Sequence, residues 1–129
     1  MHRLITSLLA ITLLAITALA KGPLTFDSTN IDFGSVRADG GPVTMHYTYT
    51  NTSSAPVAIV TVTNGGCGCT RPEFSPRPIK PGEKGEITIT FNPSTFRGEV
   101  SREVKVQLSS QKSRLKLRFS GSVIPAKKK

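Results

Sequence analysis

The chain holds two cysteines, and a single glycine separates them: Cys67-Gly68-Cys69. In an extended backbone, residues two apart lie roughly 6.6 Å from each other, at about 3.3 Å of rise per residue. A disulfide needs Cβ atoms about 3.5–4.5 Å apart. The backbone must therefore fold tightly at the middle residue. Gly68 tolerates the dihedrals this requires, and Gly65-Gly66 add freedom to what reads as an exposed glycine-rich loop. Three chemistries are open to such a pair. One is a local disulfide that pins the loop, which an oxidising compartment favours. A second is a redox-active dithiol, since strained and exposed bridges are the labile ones. The third is a soft-metal site, because thiolates select Cu(I) and zinc.

A complete zinc site within one chain needs four ligands. His2 and His46 are the only histidines. His46 alternates with Met45, Tyr47 and Tyr49, so it reads as an exposed strand histidine. A nucleophile–base pair of Cys67 or Cys69 with His46 requires the fold to bring them together, and no third orienting group suggests itself. The chain has no Gly-x-Ser-x-Gly, no His-Glu-x-x-His and no phosphate loop opening a helix, so it does not read as an enzyme. No cofactor is called for, apart from Cu(I) as the open alternative at the thiols.

A second feature is a row of charge. Arg114, Lys116 and Arg118 alternate with Leu115, Leu117 and Phe119 and so share one face. If that strand pairs with the preceding one, Lys105 joins the face, partly balanced by Glu103. The row is either a solvated outer face or a docking surface for an anionic partner: an envelope protein, a glycan or another anionic surface.

These residues are carried by strands. Val43, Met45, Tyr47 and Tyr49 alternate with polar residues, as do Ile87, Ile89 and Phe91, and Val104, Val106 and Leu108. That is the period of a half-buried strand. In Pro56 to Thr63, Val57 and Ile59 lie at one parity and Val60 and Val62 at the other, which predicts either burial on both faces or a bulge. Pro72, Pro76 and Pro78 keep Thr70 to Lys80 out of a central strand. Pro81-Gly82 sets up a turn with Pro first and Gly second. The reading is an all-β, antiparallel Ig-like sandwich of about seven strands, with a small barrel as the alternative. Without crossover helices, parallel pairing is not expected. The expected core is Leu24, Phe26, Tyr47, Ile59, Ile87, Ile89, Phe91, Val104, Val106, Leu117 and Phe119.

The first residues belong to something else. Arg3 is followed by an apolar run from Leu4 that closes on Ala18-Leu19-Ala20, the pattern of a signal peptide over 1–20. The run is shorter than the roughly 20 apolar residues of a membrane span. No Cys follows it to accept a lipid. The competing reading is an uncleaved N-terminal anchor. The domain then covers 21–124, and 125–129 is a mobile basic tail. The whole chain carries 17 Lys and Arg against 8 Asp and Glu, a net charge of +9, or +8 once Arg3 is removed. Such an excess draws anionic surfaces, and export turns that away from nucleic acid. No transmembrane span is expected in the mature chain.

Taken together, the chain resembles the secreted bacterial domain of unknown function numbered one-five-seven-three, an Ig-like group related to the major-sperm-protein and PapD-like domains. The resemblance runs roughly from Phe26 to Val123. It rests on Ile31-Asp32-Phe33-Gly34, on Met45 through Thr52, on Cys67-Gly68-Cys69-Thr70, on Pro78 through Ile87 and on Gly121-Ser122-Val123. It implies an Ig-like sandwich, export to the periplasm or envelope of a Gram-negative cell, and no established activity. The family pattern also carries a His and two Cys at His46, Cys67 and Cys69, which implies a shared site without naming a ligand.

Overall fold

The computed structural model describes residues 22–126; the signal-peptide reading and the end of the basic tail lie outside them. The described chain forms eight strands and no helix: β1 (Leu24–Phe26), β2 (Asn30–Arg37), β3 (Val43–Asn51), β4 (Ile59–Val62), β5 (Thr70–Glu73), β6 (Lys84–Phe91), β7 (Gly98–Leu108) and β8 (Arg114–Ile124). They make two four-stranded sheets, ordered β1-β3-β6-β5 and β2-β8-β7-β4. This is an Ig-like sandwich.

The pairing follows from the alternation. In the first sheet Met45 lies opposite Ile89 and Tyr47 opposite Ile87, so apolar rows meet across the ladder and their polar neighbours face out. In the second, Val104 lies opposite Leu117 and Val106 opposite Leu115. The two inner faces close on one core, and the expected core residues are buried in it. Phe26 alone among them stays half-buried, against Tyr49 at 5.4 Å between ring centroids. Each large side chain withdrawn from water contributes about 1.5–3 kcal/mol. The sheets are also tied by the Tyr47 hydroxyl, which donates to the Arg118 carbonyl at 2.7 Å. Burial raises the pKa of that hydroxyl and of Tyr49.

One expectation is corrected. β2 pairs with β8 in parallel. Crossover helices are needed where parallel strands follow one another in sequence. β2 and β8 are instead joined through all the strands between them, so no such connection arises. The strands number eight, close to the seven or so expected, with β1 in one sheet and β2 in the other. β4 resolves the conflict of parity through a bulge between Ile59 and Thr61. Val57, Ile59 and Val62 are thereby buried, while Val60 is 58% exposed.

The proline-bearing β5 is an edge strand, as its residues require. The Pro81-Gly82 turn closes with the Glu83 amide on the Lys80 carbonyl at 2.9 Å. At one end of the core, Phe33, Phe91, Phe96 and Phe119 gather with centroids 5.1–6.3 Å apart. The Phe33 ring takes the space where a Cβ on Gly121 would stand.

Candidate functional site

The cysteine loop connects β4 in one sheet to β5 in the other, so it crosses the end of the sandwich where the four phenylalanines gather. Its tight conformation comes from Gly65 and Gly66, at φ 70° and 82°, and not from Gly68, which has no positive φ. A Cβ on Gly65 would lie 2.6 Å from the Glu103 carbonyl oxygen, so this glycine lets the loop sit directly on the β7 backbone. The Asn64 side chain accepts from the Gly66 amide at 2.8 Å. The Thr70 amide donates to the Cys67 carbonyl at 3.2 Å. Cys67 and Cys69 are joined as a disulfide, their Cα atoms 5.1 Å apart. The Cys69 amide donates to Cys67 Sγ at 3.1 Å. Both cysteines are half-buried rather than exposed, because the loop covers the core. Cys69 packs against the core itself, while Cys67 is flanked by the exposed Gly66 and Gly68.

Sequence reasoning missed Arg102. It lies on β7 at the parity of Val100, Val104, Val106 and Leu108, all buried, and opposite Phe119 on β8. It therefore projects toward the interior at the end of the sandwich and is half-buried. Its guanidinium carbon stands 5.7 Å from the centre of the Phe96 ring. Its Nη2 donates to Cys69 Sγ at 3.9 Å. Among the described residues it makes no ion pair. The signal was present in the period: an arginine at an inward position of an otherwise apolar row.

His46 is not part of this cluster. It is exposed on the outer face of β3, with Nδ1 3.0 Å from the Glu86 carboxylate. In the ladder His46 lies opposite Thr88. The Cys69 carbonyl accepts from the Asn92 amide at 2.8 Å, four residues beyond Thr88 and just past the end of β6, or about 13 Å at the usual rise. The fold therefore does not assemble His46, Cys67 and Cys69 into one site. Among the described residues no three His, Cys, Asp or Glu side chains come together as a metal site. Binding of Cu(I) by the two sulfurs would first require the disulfide to be reduced.

The basic row is brought together. On the outer face of the second sheet Lys105 lies opposite Lys116, Glu103 opposite Arg118 and Gln107 opposite Arg114. Arg118 Nη2 is 3.6 Å from Glu103 Oε2, and its Nη1 donates to Ser101 Oγ at 3.3 Å. Arg114 Nε donates to Gln107 Oε1 at 3.2 Å. Lys105 and Lys116 are both exposed and make no ion pair among the described residues.

Residues 24–123 match the family described as "Protein of unknown function (DUF1573)". The chain belongs to this family. Its fold is shared by a protein of unknown function from Porphyromonas gingivalis W83, at 18% identity and a TM-score of 0.65, covering 84% of this chain and 50% of that one. The CupB2 chaperone of Pseudomonas aeruginosa follows at 14% identity and a TM-score of 0.55, over 77% of this chain and 55% of that one. WR4, a major-sperm-protein family member of Caenorhabditis elegans, has 9% identity and a TM-score of 0.55, over 80% of this chain and 99% of that one. The chain spans half or less of the first three structures it resembles, two of which are Vibrio cholerae proteases. No curated protein matches it significantly in sequence. Among the described residues no helix is long and apolar enough to cross a membrane.

Proposed function

We propose that this chain is an exported, non-catalytic Ig-like module of the periplasm or cell envelope that binds an acidic protein partner through the outer face of β7 and β8. The observation that carries the reading is the cross-strand pair Lys105 and Lys116. Like charges set directly opposite each other on a sheet destabilise it, and an anionic partner would relieve that repulsion. Arg114 and Arg118 flank the pair on the same strand and widen the positive surface. The signal-peptide pattern supports export. The same fold serves a chaperone, which favours a protein partner over a lipid or a glycan.

The test compares two variants of equal net charge. In one, Lys105, Arg114, Lys116 and Arg118 become Gln; in the other, the exposed Arg71, Arg77, Lys80 and Lys84 do. Retention on immobilised poly-glutamate should fall to lower salt for the first variant and change little for the second. Equal losses would reduce the effect to overall charge and overturn the surface assignment. Retention confined to anionic vesicles would transfer the surface to a membrane.

A further inference from the structure

We infer that Cys67–Cys69 is an exchangeable disulfide, in which a thiol attacks Cys67 and Cys69 leaves as a thiolate held by Arg102. The inference does not depend on the basic face, which lies on the outside of the second sheet. It rests on the asymmetry between the two sulfurs. Cys69 packs against the core, and its Sγ accepts from the Arg102 guanidinium at 3.9 Å. Its other polar neighbour is Thr70 Oγ1 at 3.4 Å. Among the described residues, Cys67 Sγ receives only a backbone amide, from Cys69.

An attacking thiolate must approach along the S–S axis, from the side away from the leaving sulfur. Both cysteines are half-buried, so the choice between them rests on which sulfur leaves more readily. The leaving sulfur takes the electron pair, and its departure is faster when its thiolate is stabilised. A positive neighbour does this for a thiolate, and a hydrogen bond to an ionised group is roughly twice as strong as a neutral one. The guanidinium is available for the task, since no carboxylate among the described residues neutralises it and Phe96 fixes its position.

The step balances without further reagents. The bond between the incoming sulfur and Cys67 Sγ forms as the Cys67–Cys69 bond breaks. The incoming thiolate is oxidised to the mixed disulfide, and Cys69 is reduced to the thiolate. Return of Cys69 Sγ onto Cys67 reverses it. The co-reactant is a thiol, either small or carried by another exported protein.

The experiment treats the oxidised protein with glutathione and traps it with an alkylating agent. Peptide mass spectrometry should then find glutathione on Cys67 and the alkyl group on Cys69, in at least tenfold excess over the reverse. Equal labelling, or glutathione on Cys69, overturns the proposal. A second measurement uses Cys67→Ser, in which Cys69 is a single thiol. Its alkylation at neutral pH should slow roughly tenfold when Arg102→Gln is added, the effect of about one unit in thiolate pKa. Arg102→Lys, which keeps the charge, should retain most of the rate. No change with Arg102→Gln in a variant that still melts cooperatively also overturns it. If Arg102→Gln does not fold, an Arg102→Lys rate equal to that of the parent supports the proposal, and a full tenfold loss counts against it.

Discussion

Replacing Lys116 with Glu should stabilise the domain while weakening its hold on an acidic partner. Lys105 and Lys116 are direct partners in the β7–β8 ladder. Opposed side chains hold their Cβ atoms about 4.5–5.5 Å apart, and the ammonium groups can splay to roughly 7 Å. At about 7 Å in water, two unit charges repel by roughly 0.6 kcal/mol. Screening over a Debye length of about 8 Å reduces this to roughly 0.25 kcal/mol at physiological salt. Reversing one sign removes the repulsion and adds an equal attraction, so Lys116→Glu should gain about 0.5 kcal/mol, and about 1 kcal/mol at ~0.01 M salt. Arg114 and Arg118 on either side add to the gain. For a domain of this size about 0.5 kcal/mol is a rise of roughly 2–4 °C in Tm. Thermal melts at low and physiological salt, run beside poly-glutamate retention, read both effects. A Tm that stays level or falls at low salt would refute the claim that this pair is held in repulsion.

Three further outcomes follow. Tyr47 and Tyr49 are the only tyrosines, and burial raises both above the ordinary value of 10.0; the stability this implies is whole below about pH 10 and declines as pH rises beyond it. Tyrosinate absorbance should therefore appear together with unfolding in an alkaline titration, and a gradual rise in a folded protein would contradict the burial. Phe91→Ala removes a fully buried ring and should cost about 3–5 kcal/mol in denaturant titration; a loss under about 1 kcal/mol would mean that the ring does not fill the end of the core. Changing both Cys67 and Cys69 to Ser should leave the fold intact and cost no more than about 1.6 kcal/mol, the chain-entropy value for so small a loop, which a urea melt would check.

Much of the sandwich was legible in the residues themselves. Alternation assigns inner and outer faces because side chains in a strand point to opposite sides in turn. That is why Tyr47, Ile89, Val104 and Phe119 read as core, and why Arg114, Lys116 and Arg118 read as one row. Proline placed β5 at an edge by removing an amide from the ladder. The closeness of Cys67 and Cys69 in sequence was enough to raise the question of a bridge. The partners of each strand were not legible, since hydrogen bonding between strands carries no information about sequence distance. Parallel β2 and β8 join the two ends of the domain, a pairing that no local pattern encodes. The sequence left open whether His46 meets the cysteines, and the register of β3 on β6 holds them apart. Arg102 stood in the sequence as one of seventeen Lys and Arg residues. It acquires a role only where β7, the Gly65 turn and Phe96 meet, because the contact of its guanidinium with Cys69 spans 33 residues and two sheets, and only the packing of one sheet on the other closes that distance.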